Sequence, residues 1–567
     1  MRFDAFTAGG SNTLASIGAA SERTVNWYPE QITGNAEKGP MALTRTPGLS
    51  LWATALQSPI RGLWPGENRL FVAAGTNLYE ALATSTGTFW QWKDHGNIGN
   101  DGKPVQMFAN GGQLFVVSAG NAYVDTGSGV EQCQFSVQLT DLVIDASTGK
   151  LTAGTGGPFV ASDVGKTVVI SSGTGFTGGS NVITAVDTTP GSVTFGAATG
   201  TTSWGTAGSS GGMGIEWLGT YVTASQGAFL DTYFFAAAPN SKTIYFSAPG
   251  DGTMWNPLDK FDKETYPDNV AAMVADHEQL YVFGDLQASE VFQDQGATNP
   301  LVPWAPNPGA IMHYGCVAPW SVCRLGEGLA WIGGDVERGD RVAFLEVGFR
   351  PQQISTAAVE TAWASYATVE DAIGYTCIDR GHQFWILNFP TANATWEYDL
   401  KTGIWAERGA WTGSYDAHGF PTWNMQLQQF HAVVAFTITE RHYVAGLASG
   451  KLYIQSDSYL DDAGTAIYRI RRCPHMTQEN LWRFYGQFKI DCDILGKNLV
   501  YWNRLGKGKD RIWQLVSWQT ASTGVSMYLC FSDDCGQSWI AMPTITLPVG
   551  VDATLSNAYI EDIQGNP

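Results

Sequence analysis

The sequence predicts an all-β protein built around a β-propeller of about six blades, and three observations lead to this fold class. Glycine accounts for 66 of the 567 residues, aromatic residues for 12% and charged residues for only 15%. A chain that is rich in glycine and aromatic residues and poor in charge is typical of sheets joined by many tight turns. Short runs of β-branched and aromatic residues recur between glycine, asparagine and aspartate, whereas apolar residues spaced for a three-turn helix are hard to find.

A repeated hairpin supports the propeller prediction. Residues 69–79 align with residues 113–123, and each segment is a strand, a glycine-centred turn and a returning strand. Further units begin near Tyr233, Leu280, Leu329, Phe384 and His442. The anchors Leu70 and Leu114 are 44 residues apart, and Leu280 and Leu329 are 49 apart, which is the period of a four-stranded propeller blade.

Four segments follow from this repeat. Residues 61–136 and 214–455 are predicted to form the propeller, and residues 137–213 an inserted small β domain. Glycine, serine and threonine fill 40 of the 77 positions of this insertion, and its end, residues 205–212, is predicted to be a flexible return linker. The amino-terminal residues 1–60 and the carboxy-terminal residues 456–567 are predicted to form a β-rich platform next to the ring.

The charge of the chain limits its partners. With 52 Asp and Glu against 32 Lys and Arg the net charge is −20, which argues against a protein that grips nucleic acid by neutralising phosphates. Residues 469–511 reverse this pattern with ten basic and four acidic residues. Seven of the basic residues are predicted to face an acidic partner: Arg469, Arg471, Arg472, Arg504, Lys507, Lys509 and Arg511. A solvated face, a neighbouring subunit and DNA at a channel mouth are the alternatives.

Other classes of protein are disfavoured. The apolar runs are too short to span a membrane, and the polar amino terminus does not resemble a signal peptide, so neither membrane insertion nor export is expected. The eight cysteines contain no C-x-x-C pair and are expected to be reduced and mostly buried. The eight histidines lack the spacing of a metal site or a catalytic triad. No cofactor, metal ligand or catalytic residue is therefore predicted, and the chain is not expected to be an enzyme.

One motif near the carboxy terminus is shared with glycosidases. Ser532, Asp534, Gly536 and Trp539 match the Asp-box S-x-D-x-G-x-x-W, in which the aspartate ties its own turn and the tryptophan packs on the sheet. A single copy predicts a stabilised hairpin. It leaves an Asp-box propeller glycosidase as the enzyme alternative.

The amino-terminal residues resemble a known family. Asn26, Tyr28, Pro29 and Glu30, followed by Thr46, Pro47 and Gly48, are similar to the packaged-DNA stabilisation proteins that form the tail hub, or nozzle, of short-tailed bacteriophages. The similarity continues through residues 279–284, 326–333, 347–355 and 502–506 and takes in the Asp-box hairpin. The order and spacing of these segments carry the resemblance.

The resemblance implies a structural protein of the virion tail, made and assembled in the cytoplasm of the host bacterium. It implies a homo-hexameric ring that lies below the portal and its adaptor ring, extends the channel, retains packaged DNA and serves as a conduit for genome ejection. The implied partners are the adaptor, a tail needle or plug, tailspike or fibre proteins, and double-stranded DNA that passes without sequence-specific binding. A host-glycan-binding tail protein is the second alternative.

Overall fold

The structure is a computed structural model. It describes residues 9–14, 21–31, 41–53, 57–66, 69–83, 90–139, 142–144, 151–153, 164, 167–173, 179–187, 192–195, 210–296, 302–334, 341–415, 421–424, 430–435, 440–445, 450–473, 483–484, 488–494, 497–503, 507–508, 512–520, 524–532, 540–541 and 545–547. These residues divide into two compact units. The terminal unit comprises residues 1–68 and 316–567, and the central unit residues 69–315.

The described residues are almost entirely β-strand. The first strands of the terminal unit are β1 (Asn12–Thr13), β2 (Ser21–Val25), β3 (Trp27–Gln31), β4 (Met41–Arg45), β5 (Gly48–Ala53) and β6 (Ile60–Gly66). The central unit contains β7 (Arg69–Ala74), β8 (Asn77–Ala83), β9 (Trp90–Asn97), β10 (Gln106–Ala109), β11 (Leu114–Ser118), β12 (Asn121–Asp125), β13 (Val130–Gln132), β14 (Gln134–Leu139), β15 (Leu142–Ile144), β16 (Leu151–Ala153), β17 (Thr167–Gly173), β18 (Gly179–Asp187), β19 (Ser192–Phe195), β20 (Ser210–Tyr221), β21 (Gln226–Leu230), β22 (Tyr233–Ala237), β23 (Thr243–Ala248), β24 (Asp251–Asp262), β25 (Val270–Asp276), β26 (Gln279–Gly284), β27 (Ser289–Asp294) and β28 (Trp304–Pro306).

The terminal unit then resumes with a 3-10 helix at Pro319–Ser321, one α-helix and its remaining strands. They are β29 (Cys323–Leu325), β30 (Gly328–Gly333), β31 (Val342–Glu346), β32 (Pro351–Gln353), α1 (Ala357–Ala364), β33 (Ile373–Asp379), β34 (His382–Phe389), β35 (Ala394–Asp399), β36 (Ile404–Arg408), β37 (Ala410–Tyr415), β38 (Pro421–Asn424), β39 (Phe430–Ala435), β40 (Glu440–Ala445), β41 (Leu452–Ser456), β42 (Asp461–Asp462), β43 (Thr465–Arg472), β44 (Arg483–Phe484), β45 (Phe488–Ile494), β46 (Lys497–Asn503), β47 (Lys507–Gly508), β48 (Ile512–Thr520), β49 (Gly524–Ser532), β50 (Ile540–Ala541) and β51 (Ile545–Leu547).

The central unit is built from antiparallel meanders, in which each strand pairs with the next strand of the chain. β10–β13, β21–β24 and β25–β28 are four-stranded meanders, and β7, β8 and β9 pair in the same consecutive way in a further sheet. Strand β11 is buried along its whole length and β26 along almost all of it. Neighbouring sheets enclose such strands, since one apolar cluster joins Phe235 of β22 to Val282 of β26 and Trp304 of β28. Continuous apolar runs fit strands that are covered on both faces.

The predicted insertion continues the sheet of a meander. Its expected bounds, residues 137 and 213, fall inside β14 and β20, which pair at Val137↔Trp217 and Leu139↔Ile215. Strands β15–β19 extend the same sheet, and β14 meets β24 at Phe135↔Trp255. Residues 210–212 of the expected flexible linker belong to strand β20, and residues 205–209 lie outside the described residues. Backbone pairing therefore outweighs the low strand preference of glycine here.

The terminal unit contains three further meanders. β29–β32 and β33–β36 are continuous in the chain, and β39–β41 are completed by β5, which pairs antiparallel with β41. Strand β5 comes from the segment predicted for the platform, and it belongs to a meander instead. All seven repeat anchors lie in strands of these series, so the described residues contain seven repeats where the sequence predicts about six. Closure of the repeats into one ring remains a prediction.

Strands from the two ends of the chain share one sheet. Strand β2 pairs antiparallel with β43 at Thr24↔Arg471 and parallel with β36 at Val25↔Glu407. Strand β43 pairs on its other edge with β48, which pairs with β49. The amino-terminal strand therefore lies between a meander and the carboxy-terminal strands.

Helix α1 covers one side of this unit. The Thr356 hydroxyl accepts a hydrogen bond from the Val359 N–H and caps the first turn. Val359 and Trp363 are one turn apart and both pack into an apolar cluster with Trp385 and Trp405. The helix thus contributes one buried stripe to a core made otherwise of strands.

Candidate functional site

The residues that carry the family resemblance form a buried junction centred on Asn26. Its side-chain Nδ2 donates to the carbonyl oxygens of Gly409 and Tyr468, at 2.9 and 2.7 Å, and its Oδ1 accepts from the Gly409 N–H at 3.1 Å. Its backbone N–H donates to the Glu407 carbonyl. Asn26 is 1% exposed and has a φ of 56°, a left-handed conformation that asparagine tolerates better than most residues. One side chain therefore ties the amino-terminal segment to β36 and β43.

The other motif residues surround this junction. The Tyr28 ring packs edge-on against Phe384 at 5.0 Å, and burial raises the pKa of its hydroxyl, which lies 3.4 Å from an Asp379 carboxylate oxygen. The hydroxyl of buried Thr46 donates to the Asn26 carbonyl at 3.4 Å. Thr44 donates to the Glu30 carboxylate at 3.1 Å. These contacts give the motif a structural role in holding the junction.

The turn from Thr46 into β5 is packed against backbone. Pro29, Pro47 and Gly48 are buried. A Cβ atom at Gly48 would lie 2.6 Å from the carbonyl oxygens of both Asp461 and Tyr459, which is closer than real Cβ contacts. Glycine is therefore required at this position by the close approach of two chain segments.

Two of the predicted interface residues are buried inside the terminal unit. Arg471 is 0% exposed, and its Nη1 donates to the Thr24 hydroxyl at 2.8 Å and the Gly10 carbonyl at 3.3 Å. Arg469 is 4% exposed and lies 5.7 Å from the Trp27 ring. Burial lowers the pKa of Arg469 to about 10, and Arg45 acts in the same direction while Asp462 opposes it. The expectation that these two arginines face a partner is corrected, because they hold the junction from within.

The remaining basic residues are placed only in part. Arg472 is half-buried at the end of β43. Burial lowers its pKa to about 10, and the charge of Arg23 acts in the same direction while that of Glu407 opposes it. Lys507 lies in strand β47. Arg504, Lys509 and Arg511 lie outside the described residues. Their role toward a partner stays a prediction.

Of the four Asp-box residues, Ser532 alone belongs to the described residues. Ser532 ends strand β49, and Asp534, Gly536 and Trp539 lie outside the described residues. The predicted hairpin role of this motif stays a prediction.

Two clusters of buried charged side chains connect neighbouring meanders of the central unit. His95 of β9 is held between Glu80 of β8, at 2.9 Å from Nε2, and Asp125 of β12, at 2.5 Å from Nδ1. Burial lowers the pKa of His95, but the hydrogen bonds to Asp125 and Glu80 outweigh it and raise the pKa above its ordinary value. In the second cluster, Lys263 contacts Asp268 and lies 4.0 Å from Glu290, and all three side chains are at most 2% exposed. A charged histidine or lysine between two carboxylates is a satisfied structural arrangement.

A shallow open cavity of about 500 Å³ lies in the central unit. Its lining comprises Asn110, Gly112, Gln113, Thr126, Phe229, Thr232 and Gly250. The side-chain amides of Asn110 and Gln113 form hydrogen bonds with neighbouring backbone groups and with the Asp251 carboxylate. The lining therefore lacks an acid–base pair or a nucleophile with its base.

Among the residues that the structure describes, no group of three or more His, Cys, Asp or Glu is placed to hold a metal ion. Within the same ranges, no helix is both long enough and apolar enough to cross a membrane. The cysteines Cys133, Cys316, Cys377 and Cys473 are buried, and burial raises the pKa of each thiol.

Similar solved structures are distant. The computationally designed protein Ika8 is 11% identical over 72% of this chain and 99% of its own, with a TM-score of 0.32. Sqt1 of Saccharomyces cerevisiae is 11% identical over 73% of this chain and 100% of its own, also with a TM-score of 0.32. Glutaminyl cyclase of Myxococcus xanthus is 12% identical over 41% of this chain and 89% of its own, with a TM-score of 0.21. Scores this low support no argument, and no curated protein matches the chain.

A protein-family model is more informative. Residues 200–428 match the phage-stabilisation family, described as bacteriophage P22 Gp10, beta-propeller. The match spans β20–β38, which include four complete meanders and the α-helix, and it ends beyond Gly409 of the Asn26 junction. The family consists of structural phage proteins that stabilise packaged DNA, and it is not a family of enzymes. Residues 200–428 thus match the phage-stabilisation family, whose members are structural β-propeller proteins of phages.

Proposed function

We propose that this chain is the tail hub, or nozzle, of a short-tailed phage. Six copies form a ring below the portal and its adaptor, lengthen the tail channel, hold packaged DNA in the capsid and conduct it outward at ejection. The observation that carries the proposal is the family match over residues 200–428. The chain works within the virion tail, beside the adaptor ring, the tail needle or plug, and the tailspikes or fibres.

The distribution of charge suits a conduit. Residues 69–315 contain 21 Asp and Glu but only eight Lys and Arg, so the central unit is more acidic than the rest of the chain. A wall of the same charge sign as DNA repels it over about one Debye length, roughly 8 Å at physiological salt. An acidic channel lining therefore lets duplex DNA pass without adhering.

The two clusters of buried charged side chains suit a protein that resists the pressure of packaged DNA. His95 of β9 contacts Asp125 of β12, and Lys263, which follows β24, lies 4.0 Å from Glu290 of β27, all with enclosed side chains. The Asn26 junction connects the amino-terminal segment to β36 and β43. Removing one partner of such a group leaves a buried charge or polar atom uncompensated. These contacts restrain the sheets within each unit, as a rigid subunit requires.

A DNA-retention assay tests the proposal. Capsids packaged with DNA but lacking this protein are mixed with the purified chain, and the fraction of nuclease-sensitive DNA is measured over time. The added chain is expected to slow DNA loss several-fold, and the surface variant Lys260→Met is expected to act as the wild type does. Equal DNA loss with and without the chain would contradict the retention role.

A further inference from the structure

Lys263 is a buried lysine beside two buried carboxylates of the central unit. Of the lysines whose side chains the structure describes, it is the one that is buried. Its Nζ contacts Asp268 Oδ1 and lies 4.0 Å from Glu290 Oε1. Burial penalises both charges of such an ion pair. Transfer of one proton from Nζ to the Asp268 carboxylate leaves a neutral amine, which is a nucleophile, in contact with a neutral carboxylic acid.

The backbone around Asp268 is arranged to stabilise negative charge on one carboxylate oxygen. Oδ2 accepts the N–H groups of Leu286, Gln287 and Ala288 at 3.3, 3.1 and 3.4 Å. These donors lie in the connection between β26 and β27. When a nucleophile attacks a carboxyl carbon, negative charge develops on the oxygen that is retained, and fixed N–H donors stabilise it. Oδ1, the oxygen that Lys263 contacts, is therefore the one that leaves.

Glu290 is placed to carry protons between these two groups. Its carboxylate accepts the Thr265 N–H at 2.6 Å and the Glu264 N–H at 3.3 Å. Both donors belong to the connection from Lys263 to Asp268, so Glu290 is fixed against the segment that bears the reacting groups. A carboxylate held near an amine acts first as a general base and then as a general acid.

Aromatic rings lie beside the cluster. Phe261 is two residues before Lys263, Phe292 is two residues after Glu290, and the two ring centroids are 4.7 Å apart. Residues two apart on an extended chain lie on the same face, so the rings share a face with Lys263 and Glu290. A site that excludes water protects a newly formed amide from hydrolysis.

We propose that an amide bond forms between the side chains of Lys263 and Asp268 within the folded chain. The Nζ lone pair attacks Cγ of Asp268 while Glu290 takes a proton from the nitrogen. The Cγ–Oδ1 bond then breaks, Glu290 returns the proton to Oδ1, and one water molecule leaves. Oδ2 remains as the amide oxygen, and the Tyr266 carbonyl, 3.4 Å from Nζ, accepts the amide N–H. Nothing is oxidised or reduced, and no co-reactant is needed.

The bond lies at the connection between two consecutive meanders. Lys263 follows β24, the last strand of one meander, and Asp268 precedes β25, the first strand of the next. Tension along the chain therefore passes through the amide and does not extend residues 264–267. The inference goes beyond the proposed function and does not depend on it, because the reaction needs only the fold of the central unit.

Mass spectrometry of the full chain, purified in its folded state and then denatured, tests the proposal. Trypsin cleaves after lysine and arginine, so an unlinked chain gives residues 261–263 and 264–324 as separate peptides. We expect one peptide of residues 261–324, lighter than its sequence by the mass of one water, with fragment ions that join Lys263 to Asp268. Separate peptides at their sequence masses, or a loss of water located elsewhere, would overturn the proposal.

The same digest contains a matched control pair. Lys242 Nζ lies 3.5 Å from Asp262 Oδ2, but the two side chains are 48% and 35% exposed. This pair lacks the burial of Lys263 and Asp268 and should remain unlinked. An amide between Lys242 and Asp262 would contradict the argument that an enclosed site is required.

A substitution tests the role of Glu290. Glu290→Gln is expected to slow bond formation by about a hundredfold or more, so that trypsin cleaves the freshly purified variant after Lys263. Exposed Glu264→Gln is the control and should keep the linked peptide. Wild-type yield of the linked peptide in Glu290→Gln would overturn the proton transfer assigned to Glu290. The wild-type digest decides whether the bond exists, whether or not a variant folds.

Discussion

Replacement of Asn26 by alanine tests the junction that joins the two ends of the chain. The substitution removes three side-chain hydrogen bonds, two to carbonyl oxygens and one from the Gly409 N–H, at a residue that is 1% exposed. Alanine must also adopt the φ of 56° that asparagine holds.

The expected loss is large for a single substitution. Each buried hydrogen bond contributes about 1 kcal/mol net, and leaving its partner unsatisfied raises that cost, so three together amount to about 3–4 kcal/mol. The left-handed backbone adds about 1 kcal/mol for alanine. We therefore expect Asn26→Ala to lower the free energy of unfolding of the terminal unit by about 4–5 kcal/mol.

The measurement is urea unfolding followed by tryptophan fluorescence, with each transition fitted separately because the chain has two units. Asn240→Ala is the matched control. Asn240 also has a positive φ, 51°, but it is exposed and its side chain makes no hydrogen bond among the described residues. The control should lose about 1 kcal/mol from backbone strain alone. Equal shifts for the two variants would refute the role assigned to the Asn26 side chain.

Three further substitutions test other parts of the fold. The pKa of His95 is raised, so the stabilisation that protonated His95 contributes is complete below the ordinary value of 6.5 and is lost as the pH rises through the raised pKa. Urea titrations between about pH 6 and about pH 9 should therefore show a falling free energy of unfolding in the wild type. The His95→Gln variant should not show this fall. Gly48→Ala should cost more than about 2 kcal/mol in the same assay because its Cβ meets two carbonyl oxygens, whereas Gly112→Ala, with its nearest contact at 3.9 Å, should cost little. Lys263→Met should lower the unfolding free energy by about 3–5 kcal/mol by leaving buried carboxylates unpaired, and exposed Lys260→Met should leave it unchanged.

The strands were the most predictable part of the fold. Runs such as Leu114–Ser118 and Gln279–Gly284 are apolar throughout because sheets cover both of their faces, and their spacing revealed the repeat. The hairpin turns were less visible. His277 and Glu278 both have positive φ between β25 and β26, a type I′ turn without the usual asparagine or glycine, so its local sequence gives no turn signal.

Long-range partners were beyond the sequence pattern. Strand β5 looked like part of the amino-terminal segment, and only its pairing with β41 assigns it to a meander. The basic residues of β43 show the same dependence on long-range partners. From the sequence, Arg471 is expected at the surface, but in the structure its guanidinium donates to Thr24 and Gly10 of the amino-terminal segment. Charge in a sequence marks residues that need a partner, but it does not say whether that partner belongs to the same chain.

The family motif was recognisable, but its purpose was not. Asn26, Thr46 and Gly48 were selected by resemblance, and the structure explains them by hydrogen bonds and close backbone approach at one junction. The buried charge clusters at His95 and Lys263 were not expected from the sequence, because the residues of each cluster are separated by turns and strands of ordinary length. A histidine followed about 30 residues later by an Asp-x-Gly turn, as in His95 and Asp125, is the one pattern that could have indicated such a tie.

The most direct test of the account is electron cryo-microscopy of phage particles that contain this chain, with the chain located by an epitope tag. The account predicts six copies in a ring on the tail axis, below the portal and its adaptor, with the channel running through the ring. Copies placed at the periphery of the tail, away from the channel axis, or a copy number other than six would contradict it.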